Sequence, residues 1–196
     1  RRMGQFGKMF AGYGTDDRYQ AGGNVSYFKG SQRISLIGLS NNVNQQNFSS
    51  QDLIGVSGGG GRGGGGSNNF LVGNQSGITG TNSIGLNYTN QLGKKLQLSG
   101  SYFFNRTSNT NDQLKQQNYI LAGSGGDQIN DEKSFTGNTN LNHRADLRLE
   151  YTINKSNSLI VTPRISFQDN KSNSTKEGVT YLGNEAGLLN SSNTLR

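Results

Sequence analysis

Residues 145–153 read Ala-Asp-Leu-Arg-Leu-Glu-Tyr-Thr-Ile, an unbroken alternation of apolar and polar side chains. Successive side chains of a β-strand point to opposite faces, so this segment, as a strand, has one greasy face and one charged face. Ala145, Leu147, Leu149, Tyr151 and Ile153 fall on the first; Asp146, Arg148, Glu150 and Thr152 fall on the second. After the turn Asn154-Lys155-Ser156-Asn157 the pattern returns, with Leu159, Val161, Ile165 and Phe167 set against Thr162, Arg164, Ser166 and Gln168. Two neighbouring strands of about ten residues with this pattern make a sheet that is oily on one side and wet on the other. The wall of a transmembrane β-barrel has that form, and so does a soluble sheet lying on a core.

The same reading along the chain gives about seven strands, over 5–14, 18–29, 32–44, 78–91, 95–106, 139–153 and 158–168, with a further short one near 179–182. In the fourth, Ile84, Leu86 and Tyr88 oppose Ser83, Asn87 and Thr89; in the fifth, Leu96, Leu98, Tyr102 and Phe104 oppose Gln97, Ser99, Ser101 and Asn105. The first three are less clean. Phe6, Lys8 and Phe10 share one parity while Met9 and Tyr13 put bulk on the other, and Ile34-Ser35-Leu36-Ile37-Gly38-Leu39 breaks parity. A β-bulge accounts for such a break, as does a strand whose inner face packs on an internal plug. Pro163 lies inside the seventh strand; proline belongs at edges and bulges, so it marks a bulge there or weakens the strand assignment. A helical reading fails, because Gly, Asn, Ser and Thr are weak helix formers and no segment sustains a 3.6-residue stripe.

In an up-and-down meander the connections alternate between two ends. Gly30-Ser31, Leu92-Gly93-Lys94 and 154–157 fall at one end and are short; long polar stretches at 45–77, 107–135 and 169 onward fall at the other. The turn at Thr15-Asp16-Asp17 is the one short connection at the long-loop end. Short turns at one end and long loops at the other are the asymmetry of outer-membrane barrels. The expected fold is therefore all-β, an antiparallel up-and-down meander forming part of a large transmembrane β-barrel over 1–196, with both ends reading as cuts within a longer chain.

Composition narrows the function. Hydrophobic residues are only 30% of the 196 and glycine alone numbers 30, an average that resembles disorder, yet the apolar residues are gathered into the alternating runs. There is no cysteine, which excludes disulfides and thiolate chemistry, and no tryptophan, so an aromatic girdle must use Tyr and Phe. The net charge of +7 comes from scattered Lys and Arg in a chain only 16% charged, without the aromatic–basic interleaving of single-strand binders, so nucleic acid is not an expected partner. No run of about 18 apolar residues exists to form a transmembrane helix.

Other motifs resolve to bland readings. The run Gly58–Gly61, Arg62, Gly63–Gly66 is followed by Ser67-Asn68-Asn69-Phe70 and not by the Gly-Lys-Ser/Thr and helix of a phosphate loop, so it reads as a surface loop. His143 is the only histidine, with no second ligand for a metal, and reads as lying near a strand start in polar surroundings. Asp127, Asp131 and Glu132 lack EF-hand spacing and read as solvated loop charge. No catalytic group, metal or cofactor is expected. The informative charges are Asp146, Arg148, Glu150 and Arg164: with the apolar parity toward lipid, these line the lumen. They form either a cross-strand ion-pair ladder that also meets a plug or a lining that biases which solutes pass. The lipid-facing candidates are Leu96, Leu98, Leu147, Leu149, Val161 and Phe167.

Gly12-Tyr13-Gly14-Thr15-Asp16-Asp17-Arg18-Tyr19, Asn41-Asn42-Val43-Asn44-Gln45-Gln46-Asn47-Phe48 and Leu141-Asn142-His143-Arg144 leading into the alternating strand carry a resemblance. The chain resembles the barrel of TonB-dependent-receptor-like outer-membrane proteins of Gram-negative bacteria, in the region just after the plug. The resemblance implies a location in the outer membrane, with outer-membrane lipid, the protein's own plug and remaining barrel strands, and a TonB-type energy transducer as partners. It implies uptake of a bulky nutrient captured by loops 45–77 and 107–135; it names no ligand. A small outer-membrane or adhesin-like β-protein with a structural or binding role is the alternative.

Overall fold

The structure, a computed structural model, describes residues 3–45, 76–120, 127–182 and 188–196. Among these there is no helix. Nine strands form one antiparallel sheet: β1 (Met3–Tyr13), β2 (Tyr19–Lys29), β3 (Gln32–Asn41), β4 (Ile78–Leu92), β5 (Leu96–Tyr119), β6 (Gln128–Thr152), β7 (Ser158–Val161), β8 (Arg164–Leu182) and β9 (Leu188–Leu195). Each pairs with its neighbour in sequence, except that β7 and β8 both lie along β6. The sheet is an open meander, not a closed barrel, with β1 and β9 at the ends of its strand order.

The tight turns form where the sequence supplies residues that tolerate positive φ. Gly30 (φ 62°) turns β2 into β3 and Gly93 (φ 69°) turns β4 into β5. Between β1 and β2 the left-handed positions are Asp16 and Asp17 (φ 56° and 54°), a task short polar side chains accept. Asn42, the residue after β3, secures this turn: its Oδ1 accepts from the Tyr19 N–H at 2.7 Å and its Nδ2 donates to the Asp17 carbonyl at 2.8 Å. Arg18 adds a bond from Nη1 to the Asn42 carbonyl at 3.1 Å. Much of the Gly12–Tyr19 and Asn41-Asn42 texture thus closes one end of a three-stranded unit.

Three expectations need correction. The stretches 107–135 and 169 onward are largely strand. β5 runs 24 residues and β6 runs 25, paired without a slip from Leu96↔Tyr151 to Tyr119↔Gln128, and β8 continues to Leu182 before β9 adds a further strand. These segments are polar on both faces, so their alternation is invisible to hydropathy while the backbone ladder is intact. Second, β3 has no bulge: its register with β2 and with β4 is regular from end to end. It is apolar on both faces, with Ile34 and Leu36 on one and Ile37 and Leu39 on the other. Third, of the two readings of Pro163 the bulge fails and the weakened strand holds, since the strand breaks at Thr162-Pro163. Leu149↔Val161 and Asp146↔Arg164 belong to one register, since both pairs sum to 310, so β7 and β8 are one strand interrupted at Thr162-Pro163. The Leu147 N–H still donates to the Pro163 carbonyl at 3.0 Å; the return bond is missing because proline has no N–H. The expected loop 45–77 and its glycine run lie almost wholly outside the described residues.

Candidate functional site

The register decides which side chains share a face, because directly opposed residues in a ladder lie on the same side of the sheet. Following the pairs outward from Leu149 gives Leu98 and Val161, and from Tyr151 gives Leu96 and Leu159. His143 stands opposite Phe104 and Phe167, and Ala145 opposite Tyr102 and Ile165. Beyond β5, Phe104 meets Ile84 and Tyr102 meets Leu86; Leu86 then meets Leu36, which meets Val25. The apolar sets of separate strands thus merge into one continuous surface. Leu96, Leu98, Leu147, Leu149, Val161 and Phe167 all lie on it. Over Ile84–Leu92, Leu96–Phe104, His143–Tyr151 and Leu159–Phe167 this surface carries no Asp, Glu, Lys or Arg. Each of these stretches is nine residues long, close to the roughly 9–11 that cross a bilayer as tilted strand.

Aromatic side chains mark both borders of the apolar band. Tyr151 lies at the short-turn border, while Tyr27 and Tyr88 stand in the row of Leu147, half-way across the band. At the other border Tyr102, Phe104, His143 and Phe167 cluster, with the Phe104 and His143 rings 5.0 Å apart and the His143 and Phe167 rings 6.2 Å apart. The Tyr102 hydroxyl is 2.8 Å from His143 Nδ1. His143 is therefore mid-strand among aromatic rings, not near a strand start in polar surroundings.

The opposite face is polar. Asp146, Arg148, Glu150 and Arg164 all occupy it. Arg164 Nε bonds Asp146 Oδ1 at 3.1 Å across the β6–β8 ladder, and Arg148 Nη2 bonds Glu150 Oε2 at 3.1 Å along β6. Farther up the same face Lys176 Nζ meets Glu132 Oε2 at 2.7 Å. Glu132 and Asp131 are thus strand-borne and partnered, not loop charge: Asp131 accepts from the Tyr181 hydroxyl at 2.9 Å and from Gln116 Nε2 at 2.8 Å. The Asp131 carboxylate raises the pKa of the Tyr181 hydroxyl, with burial adding in the same direction. Among the described residues no group of three metal-ligating side chains comes together.

On β3–β5 the polar face is the buried one. Asn41, Thr79, Thr81, Ser83, Asn87, Asn105, Thr107 and Asn109 are all at most 5% exposed. Leu36 and Ile84, on the apolar face of the same strands, are 49% exposed. The buried polar groups satisfy one another. Ser83 Oγ donates to Asn105 Oδ1, Asn105 Nδ2 to Thr107 Oγ1 at 3.2 Å, and Asn109 Nδ2 to Thr79 Oγ1 at 2.8 Å. Among the described residues no buried side-chain nitrogen or oxygen lacks a partner. A water-soluble sheet buries its apolar face; here the order is inverted.

An apolar strip crosses this polar face on β1–β5. Phe6 stacks on Phe28 at 5.4 Å, and the Arg33 guanidinium sits 5.8 Å from the Phe28 ring centre. Ile37, Leu39 and Phe103 are buried on the same face. Glycines make room for them: a Cβ at Gly22 would lie 2.7 Å from Phe10 and 2.9 Å from Leu39, and one at Gly85 would lie 2.7 Å from Ile37. The broken parity of 34–39 was the available signal for this strip.

Compared with known proteins, the chain matches no family model, no curated protein sequence and no solved structure. The functional argument therefore rests on the geometry of the two faces.

Proposed function

We propose that the chain is a wall segment of an outer-membrane β-barrel that serves in TonB-dependent uptake of a bulky nutrient. One observation carries the barrel reading: the register gathers the apolar residues of successive strands onto a single uncharged band about one bilayer tall, and on β3–β5 the polar residues of the other face are the buried ones. Lipid tolerates a bare apolar face and water does not. Leu96, Leu98, Leu147, Leu149, Val161 and Phe167 then face lipid, and Asp146, Arg148, Glu150 and Arg164 face the lumen, where pairing and water offset their charge. Uptake through a plugged barrel is supported by the apolar strip on the lumen face, whose Phe6 and Phe10 are exposed beside the buried Ile37, Leu39 and Phe103. An empty water-filled channel has no use for such a strip, whereas a plug can cover it. Ligand capture falls to the elements beyond the band, which include the long polar continuations of β5, β6 and β8.

Topology tests the reading. The chain has no native cysteine, so single cysteines report position directly. In the full-length protein, Ile120→Cys, beyond the end of β5, reacts with an impermeant maleimide on intact cells, against the unsubstituted parent as background. Ser156→Cys, in the β6–β7 turn, reacts only after the outer membrane is permeabilised. The reverse pattern overturns the orientation, and reaction of both on intact cells overturns the membrane barrel.

A further inference from the structure

The apolar face is not uniformly bulky. On its β1–β5 part an open groove of about 640 Å³ runs between Met9 on one side and Ile84 and Phe104 on the other, over a floor of Ala11, Ala21 and Gly38. The sheet register puts these together: Phe104, Ile84, Gly38, Gly23 and Met9 are successive partners in one row, and Asn82, Ser40 and Ala21 belong to the next. A Cβ at Gly38 would meet nothing nearer than the Ser83 carbonyl at 3.9 Å, so the space above it is open. The volume lies in the range of roughly 300–1,000 Å³ usual for ligand pockets.

One end of the groove is polar. Ser40 Oγ donates to Asn82 Oδ1 at 2.6 Å, and Asn82 stands directly opposite Arg106. Arg106 is exposed on the apolar face, one row above Phe104, and makes no ion pair among the described residues. The acidic residue in its row, Asp169 two strands away, is held by Lys171 at 3.8 Å. The arrangement is an apolar trough with a single cation and two small polar groups at its mouth, set at the border of the apolar band nearest the strand continuations.

We propose that this groove is a lipid site, in which an acyl chain of an anionic phospholipid lies over Ala11, Ala21 and Gly38 and the phosphate is met by Arg106, with Asn82 and Ser40 beside it. The inference rests on the membrane-barrel reading. Charge complementarity selects the occupant. A second copy of this face would bring another Arg106 to an uncharged band, and a wholly apolar partner would leave the guanidinium without a counter-ion. An anionic head on a hydrocarbon tail satisfies both ends. A guanidinium also suits phosphate by geometry, through paired N–H donors.

The test uses the full-length protein in phosphatidylcholine bilayers. Trace phosphatidylglycerol carrying a photoreactive acyl chain is one probe, and the matching phosphatidylcholine is the other. Crosslinked peptides are mapped by mass spectrometry, after heat-modifiable migration has established that each variant forms a barrel. The expected result is crosslinking concentrated on segments 9–11, 38–40 and 82–84, with phosphatidylglycerol captured in preference. Arg106→Gln, an exposed position, lowers that preference by roughly three- to tenfold, the range between an exposed ion pair and a charge-assisted hydrogen bond. Gly38→Leu fills the trough and removes the concentrated labelling for both probes; if it does not assemble, Arg106→Gln alone decides. Labelling spread evenly round the band, or a lipid preference unmoved by Arg106→Gln, overturns the lipid site while leaving the barrel. Failure of the parent protein to form a membrane-embedded barrel overturns both.

Discussion

Leu147 and Arg148 are adjacent in sequence and opposite in environment, and substituting each separates the membrane reading from its soluble rival. Leu147 is four residues from His143 at one border of the apolar band and four from Tyr151 at the other, so it lies at mid-height. It stands opposite Gly100, with its Cδ1 3.2 Å from where a Gly100 Cβ would be. Arginine on the lipid face at mid-depth costs about 2–4 kcal/mol. Arg148→Leu removes only the pair with Glu150, whose side chains are 47% and 35% exposed for Arg148 and Glu150 respectively, an interaction of about 0–1 kcal/mol. The difference of about 1–4 kcal/mol is roughly a 5- to 900-fold difference in the folded-to-unfolded ratio. The assay is denaturant unfolding of the full-length protein in vesicles, read as loss of the heat-resistant compact band on a gel. Leu147→Arg should shift the midpoint strongly downward and Arg148→Leu hardly at all. A soluble sheet gives another outcome: Leu147 is 39% exposed, and surface substitutions of that kind fall within about 0.5 kcal/mol of neutral. Equal effects of the two substitutions, or a larger effect of Arg148→Leu, refute the assignment of faces.

Pro163 sits in register opposite Leu147 and withholds one ladder bond from an otherwise regular strand, so Pro163→Val should restore it and stabilise the protein by about 0.5–1.5 kcal/mol. An unchanged or lowered unfolding midpoint would show that the break serves some other end. The pKa of the Tyr13 hydroxyl is raised by its 2.6 Å bond to Asp17, as that of Tyr181 is by Asp131, and both lie beyond the apolar band. A raised folded-state pKa means that each bond's contribution is present below the ordinary tyrosine value of about 10 and is lost as pH rises through the raised one. Absorbance titration should therefore place both tyrosines above the usual range, and Asp131→Asn should return Tyr181 to it; coincident titration of Tyr181 with and without the carboxylate would contradict the bond.

The sequence made the fold legible wherever one face of a strand is apolar. β4 over Ile84–Tyr88, β5 over Leu96–Phe104 and β6 over Ala145–Tyr151 alternate cleanly, and glycine marks the turns at Gly30 and Gly93. Strand was missed where both faces are polar. Asp112 and Gln113 on β5 face Phe135 and Ser134 on β6, and nothing in their hydropathy distinguishes a paired strand from a solvated loop. Long-range register supplies the missing information, and one chain's periodicity does not contain it. The same holds for the site. Parity alone places Asp146, Arg148 and Glu150 together, because they lie on one strand. Joining them to Arg164 required the pairing of β6 with β8, and joining Phe28, Ile37, Leu39 and Phe103 into one strip required three registers. The groove at Gly38 is less legible still: small residues on four strands mean nothing until the rows align them.

The place where pairing stops extends the argument. β9 covers β8 only from Thr175 to Tyr181, with one further exchange between Ser174 and Arg196, so its contacts lie above the apolar band. Lower on β8 the outer edge has no strand beside it among the described residues. That stretch carries Ile165 and Phe167, 71% and 58% exposed, among the barest hydrophobic side chains of the band. Unsatisfied backbone groups cost several kcal/mol each in hydrocarbon, so a sheet with a bare edge at this depth cannot rest in a bilayer. In water the same edge invites strand addition, beside an apolar face that invites association. Neither solvent suits this sheet by itself. On the membrane reading, both the lower half of β8 and the free side of β1 must meet further strands, and the wall closes through them.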